Sequence, residues 1–260
     1  MNSKSSHSYF LTPKVCNPYY PLFIFLPGMD ETGKELVCIQ TRDLEVAFDV
    51  RCFIVPPANL KNCDQMAEEV LFLTEIELAK KTSSDVYLCG ESFGCCLALK
   101  VLQKYPDYFT KIILINSASS FNRVPWLNFG SILFAFIPNF VYKISSFVAL
   151  LFLAHLSKLS PTARQALLNS TRSAPKKTAN QRLTIMREFN MDEKKLSQIT
   201  QPVLLIVSFE DRLLPSVAEG QRLNKIFPNS DLIILPHSGH ACLVEDSVNL
   251  YKLLLAHKFI

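Results

Sequence analysis

Gly90-Glu91-Ser92-Phe93-Gly94 sets a serine between two glycines. A serine hydroxyl is a weak nucleophile, so acyl chemistry at Ser92 needs a base within hydrogen-bond reach and a carboxylate to orient that base. The apolar run Val86 to Cys89 reads as a strand, and Phe93 to Lys104 reads as a helix. Ser92 therefore falls on a sharp strand-to-helix turn, the setting in which G-x-S-x-G presents a nucleophile. Gly90 and Gly94 leave room for the turn, and the helix N-terminus favours negative charge developing beside it. Two histidines compete for the base. His240 follows Ser238-Gly239 beyond the strand-like Leu232 to Leu235 and is preferred; His237, nearer the strand end, is the alternative. The two are also spaced as HxxH, but no helix carries them and no third ligand is evident, so no metal and no cofactor is expected. Glu210 and Asp211 follow the strand-like Val203 to Val207; Asp211 is preferred as the orienting acid and Glu210 is the alternative. Two backbone N–H donors must meet the developing oxyanion. Phe93, directly after the serine, supplies one, and Met29 supplies the other from the loop Leu26 to Gly33, where Gly28 lets the backbone approach.

These groups need a scaffold that brings distant segments to one edge. Short apolar runs alternate with helical patterns: strands at Pro21 to Leu26, Val50 to Val55, Val86 to Cys89, Lys111 to Asn116, Val203 to Val207 and Leu232 to Leu235. Helical spacing covers Asp64 to Lys80, Phe93 to Lys104, Val217 to Phe227 and Val244 to Lys258. Near-continuous apolar strands separated by helices predict an α/β fold, a mostly parallel sheet covered by helices on both faces. With 260 residues and 49% hydrophobic content the chain is expected to form one domain, and such a composition excludes disorder as its main state. The balance of 27 Lys and Arg against 23 Asp and Glu is too even and scattered to argue for nucleic acid. The densest basic stretch, Arg172 to Arg187 with Lys176, Lys177 and Arg182, reads as a solvated face. Eight cysteines without CxxC or zinc-type spacing read as buried thiols in a reducing compartment inside the cell. Residues Met1 to Pro13 lack the apolar core of a secretory signal.

The stretch 121–198 interrupts the rhythm and predicts a helical insertion, with the sheet core at about 21–120 and 199–258. Trp126 to Leu156 is heavily apolar, but Pro138, Asn139 and Lys143 break it into runs shorter than the roughly 20 residues of a membrane span. A hydrophobic lid over the site is expected, with peripheral contact to a lipid surface as a further possibility. Glycine is scarce, 7 in 260 residues, yet Gly28, Gly33, Gly90, Gly94 and Gly239 all fall in the proposed site. Its scarcity elsewhere makes that placement informative.

The segments Phe25-Leu26-Pro27-Gly28-Met29-Asp30-Glu31-Thr32-Gly33, Gly90-Glu91-Ser92-Phe93-Gly94 and Leu97-Ala98-Leu99 carry a likeness. They resemble the hydrolase portion of the phytyl ester synthase and diacylglycerol acyltransferase family of plants, algae and cyanobacteria. A general α/β-hydrolase likeness covers Pro21 to Lys258 and matches the chain order Ser92, Asp211, His240. The resemblance implies an α/β-hydrolase fold, a serine esterase or lipase-like activity, and a hydrophobic ester or acyl-lipid substrate. It maps Ser92, Asp211 and His240 to the triad and Gly28-Met29 to the oxyanion loop, and it implies a plastid or cyanobacterial cytoplasm as location. Two departures matter. Pro27 stands where many α/β-hydrolases have the histidine of an HG motif, and none of the five histidines begins the H-x4-D signature of the acyltransferase-like region of the longer plant proteins. Hydrolysis is therefore favoured, unless the triad itself transfers acyl groups to an alcohol. A carbon–carbon lyase or hydrolase of the menaquinone-pathway type would expect several arginines in the pocket, and a non-catalytic lipid binder would need no aligned triad. The sequence sets no oligomeric state.

Overall fold

The computed structural model describes residues 7–13, 16–29, 33–57, 59–139, 141–142 and 150–260. Its centre is a seven-stranded sheet in the order β1-β3-β2-β4-β5-β6-β7. The strands are β1 (Tyr9–Leu11), β2 (Leu22–Leu26), β3 (Asp49–Ile54), β4 (Val86–Glu91), β5 (Lys111–Ile115), β6 (Val203–Ser208) and β7 (Ser230–Leu235). Only the edge strand β1 is antiparallel to its neighbour; the other pairs are parallel. β2, β3, β4 and β6 are buried along their whole length, which explains their mostly apolar sequences; in β3 the buried Arg51 is paired with Asp49 at 2.6 Å.

The two-residue period of a strand divides the core. Leu22, Ile24 and Leu26 join one apolar cluster, shared with helices α2 (Cys63–Leu78) and α3 (Phe93–Lys104). Phe23 and Phe25 point the other way, into a cluster with Val37 of α1 (Lys34–Gln40) and Leu250 and Leu254 near the C-terminus. Between β5 and β6 the described residues form helices α4 (Pro125–Phe134), α5 (Pro161–Ser173), α6 (Lys176–Glu188) and α7 (Glu193–Leu196), and no strand. Helix α8 (Ser216–Ile226) links β6 to β7, and α9 (Leu250–Ala256) ends the fold.

Two elements were not expected from the sequence, β1 and α1, and one is shorter than expected. The span predicted as a helix over Val244 to Lys258 begins as a single tight turn at Cys242–Val244, and the helix proper starts at Leu250. Asn249 sets that start, because its side chain accepts the Lys252 N–H at 3.0 Å. The parallel order puts the carboxyl ends of β4, β6 and β7 on one edge, level in register through Glu91↔Ile115, Ile115↔Ile206 and Ser208↔Leu235. Loops at that edge are where open α/β sheets bind ligands.

Helix α3 reaches that edge with its backbone nearly touching β2. A Cβ on Gly94 would lie 1.9 Å from the Leu26 carbonyl oxygen, so only glycine fits without parting the two elements. Gly94→Ala is expected to lower stability by at least about 3 kcal/mol in urea unfolding, the upper range for an overpacked core position. Gly130→Ala is the control. Nothing lies within 4 Å of a Cβ there, and the change should stabilise α4 by up to about 1 kcal/mol. Equal stability of Gly94→Ala and wild type would contradict the close approach.

Candidate active site

Ser92 occupies the turn between β4 and α3 with φ 53 and ψ −114, a conformation that L side chains rarely adopt. Backbone bonds hold it there: Ser92 N–H donates to the Ile115 carbonyl at 2.9 Å, and the Ser92 carbonyl accepts from Cys95 N–H at 3.0 Å and Ala118 N–H at 3.2 Å. Behind the turn the Cys95 thiol donates to the carbonyls of Gly90 and Ile115, at 3.0 and 3.3 Å. The strain is thus carried by the sheet edge, and the hydroxyl is left to face the loops.

Ser92 Oγ lies 2.7 Å from His240 Nε2, and His240 Nδ1 lies 2.7 Å from Asp211 Oδ2. The side chains of His240 and Asp211 are each 1% exposed. Asp211 also accepts the N–H groups of Leu213 and Leu214 on Oδ1, at 2.8 and 2.9 Å, and the Ser216 hydroxyl on Oδ2. Burial alone would raise the Asp211 pKa, but the His240 charge and hydrogen bond, Ser216 and the Leu214 N–H outweigh it and hold the carboxyl below its ordinary value. A carboxylate only accepts, so Nδ1 carries the imidazole proton and Nε2 is left to accept from Ser92.

The alternatives point elsewhere. His237 is 79% exposed and lies 3.3 Å from Glu210, which also meets His155 Nε2 at 2.7 Å. Three buried residues that the sequence analysis did not assign hold the loop of His240 and the Asp211 carboxylate. Asn116, at positive φ after β5, accepts the Ser208 N–H at 2.7 Å and donates to the His240 carbonyl at 2.6 Å. Glu245 accepts the N–H groups of Gly239 and His155, at 2.9 and 3.3 Å. Ser216 bonds the acid. Asn at a strand end is a visible signal, since Asn tolerates the left-handed region; nothing local marks Glu245. The chain returning from the insertion is tied to the same loop, with Ala241 N–H donating to the Leu153 carbonyl at 2.6 Å and Lys158 Nζ to the His237 carbonyl.

A cavity of about 100 Å3 opens on Ser92 and His240, walled by Met29, Phe121, Leu153, Leu183, Met186, Leu213 and Leu214. A larger space of about 480 Å3 adjoins Leu26, Gly28, Met29, Phe93 and the buried Arg182. Met29 borders both. Phe93 is the first residue of α3, so its N–H has no acceptor within the helix. Asp30, Glu31 and Thr32 of the predicted oxyanion loop lie outside the described residues, as do Lys143 and the Phe147 to Ala149 part of the apolar insertion. No disulfide joins the eight cysteines, six of which are buried. Burial pushes the Cys63 thiol up to about 12.

A family model described as the alpha/beta hydrolase fold matches residues 26–247. The chain belongs to the alpha/beta hydrolase family. Among curated proteins this alpha/beta hydrolase is similar to phytyl ester synthase 1, chloroplastic, of Arabidopsis thaliana, 27% identical over 257 residues, which cover 90% of this chain and 36% of that protein. The chain thus spans about a third of that relative's length. It is also similar to the pimeloyl-[acyl-carrier protein] methyl ester esterase of Nitrosomonas europaea, 26% identical over 191 residues, 70% of this chain and 71% of that one. Among solved structures, the enol-lactonase of Burkholderia xenovorans LB400 aligns with a TM-score of 0.76 at 13% identity, covering 97% of this chain and 94% of the other, a likeness of fold. Among the described residues no helix is long and apolar enough to cross a membrane.

The depressed Asp211 carboxyl links folding to pH. It stabilises the folded chain wherever the unfolded aspartate is ionised, and that contribution is lost as the pH falls below the ordinary value of 3.8 toward the folded one. In Asp211→Asn the fall in urea midpoint between about pH 6 and about pH 3 is expected to be smaller than in wild type. A fall of equal size would contradict the depressed carboxyl.

Proposed function

We propose that this alpha/beta hydrolase is a serine esterase or acyltransferase that passes the acyl group of a hydrophobic ester through Ser92. The observation that carries the reading is the pair of 2.7 Å contacts linking Ser92, His240 and Asp211. In this reading His240 Nε2 takes the Ser92 proton as Oγ attacks the acyl carbonyl carbon. The N–H groups of Phe93 and Met29 receive the resulting oxyanion. The tetrahedral species expels the alcohol, which leaves with the proton held by His240, and an acyl-enzyme remains on Ser92. Water, or a second alcohol, then gives its proton to His240 as its oxygen attacks the acyl carbon, and the second tetrahedral species breaks its bond to Oγ as His240 returns that proton to Ser92. Asp211 stays ionised throughout and stabilises the imidazolium in the orientation that both steps use.

The apolar walls around Ser92, from Phe121, Leu153, Leu183 and Met186, favour a long hydrocarbon acyl chain over a small polar ester. Arg182 is the one arginine among the described residues bordering the larger space. A single arginine gives little support to a carbon–carbon lyase acting on a multiply charged substrate. The relatives' names, an ester synthase and an ester esterase, agree with acyl chemistry on esters.

The test is turnover of p-nitrophenyl esters of increasing chain length. The dodecanoate should exceed the acetate in kcat/KM by at least about tenfold, given the gain per buried methylene. Ser92→Ala should lower kcat by at least about a thousandfold, and Ser216→Ala, which removes one bond to the carboxylate, by about tenfold. Because Asp211 is held below the ordinary carboxyl value, the acid limb of the rate profile belongs to His240, and activity falls as that base takes up a proton. Ester formed from an added long-chain alcohol would identify transfer. Unchanged turnover in Ser92→Ala, or a preference for acetate, would contradict the reading.

A further inference from the structure

The insertion combines two properties that a solvated surface does not. Between Phe121 and Arg187 the sequence holds 9 of the chain's 27 basic residues and none of its 23 acidic ones. Over part of the same stretch, Trp126 to Phe152, lie eight of the 17 exposed large apolar side chains among the described residues. Helix α4 buries Leu127 and Ser131 and turns Trp126, Phe129 and Leu133 outward at helical spacing, with Phe136 just beyond its end. Trp126, Phe129 and Phe136 are 63%, 62% and 79% exposed. On the returning chain Leu151 and Phe152 also face solvent, while the next residue, Leu153, lines the cavity at Ser92.

The positive charge sits against this apolar face. Lys176 Nζ donates to the Ala135 carbonyl at 2.8 Å, next to Phe136, and the Tyr142 hydroxyl donates to the Ala174 carbonyl at 2.8 Å. These contacts bring the junction of α5 and α6, with exposed Arg172 and Lys177, to the C-terminal end of α4. Arg123, at the other end, is paired with Glu193 at 2.8 Å.

We propose that this face docks on an anionic lipid bilayer. Aromatic and aliphatic side chains enter the headgroup boundary, while Lys176 and Lys177 meet lipid phosphates. Charge decides among occupants. A second copy of the chain would set the same basic cluster beside itself, and a neutral apolar partner would leave that cluster unused. The inference deepens the proposed ester chemistry by naming the surface that supplies a hydrophobic substrate. It rests on that reading for its purpose, but the docking is measurable without turnover.

Trp126 is the only tryptophan, so its emission reports on the apolar face at the N-terminal end of α4. Vesicles of phosphatidylcholine containing about 30 mol% phosphatidylglycerol are expected to shift it to the blue and to sediment with the chain at least about tenfold more strongly than phosphatidylcholine alone, with the difference shrinking in high salt. Lys176→Glu with Lys177→Glu should cut binding to the anionic vesicles by at least about tenfold. Phe129→Ser with Phe136→Ser should remove the blue shift at unchanged thermal midpoint. Ser92→Ala should bind as wild type does, so a failure of the ester chemistry would be visible as lost turnover with intact docking. Equal binding to both vesicle types, no binding to either, or a blue-shifted Trp126 in a dimer by light scattering before any lipid is added would overturn the proposal. If the phenylalanine pair unfolds the chain, the lysine pair alone decides.

Discussion

The buried contact between Asp211 and His240 sets the condition that the rest of the edge serves. An ionised carboxylate out of water is costly unless every lone pair facing the protein is met. Asp211 is met four times, by His240, Ser216 and the N–H groups of Leu213 and Leu214. The carboxylate in turn fixes which imidazole nitrogen carries the proton, and so which one is left for Ser92. The surrounding architecture follows from holding two loops and one turn in that relation. Asn116 joins the ends of β5 and β6 to the backbone of His240, Glu245 holds Gly239, and the close approach at Gly94 seats the nucleophile turn against β2.

The parts of this arrangement that depend on local order were legible in the sequence. The strand-glycine-serine-helix succession located Ser92, and the residues just past two apolar strands located Asp211 and His240. Unbroken apolar strands gave the parallel sheet, because a strand buried on both faces has no polar face to alternate with. What was not legible depends on partners far along the chain. Ser216 and Glu245 become informative only when the fold brings Ser92, Asp211 and His240 together, and Asn116, visible as an Asn at a strand end, shows its reach to the His240 carbonyl only there. Strand β1 is three residues long and half-exposed, too short to leave a period. The last helix starts at Leu250 and not at Val244, because Glu245 is committed to the Gly239 N–H and Asn249 caps the helix.

The insertion belongs to the site as much as the sheet does. Its returning chain supplies Leu153 to the wall beside Ser92 and a carbonyl to Ala241, one residue past His240. The same few residues turn Leu151 and Phe152 to the outside. A lipid surface that engages them therefore lies a residue or two from the cavity wall. In the docking proposed above, engagement of lipid and access to Ser92 are neighbouring events on one segment.

The central claim is that Ser92 is made nucleophilic by His240. The most direct measurement is covalent trapping with a p-nitrophenyl alkylphosphonate, followed by intact mass and peptide mapping. The account predicts one adduct per chain, on Ser92, with release of one p-nitrophenolate, and a labelling rate that collapses in His240→Ala although Ser92 is still present. An adduct on another residue, or labelling of Ser92 at the wild-type rate without His240, would contradict it.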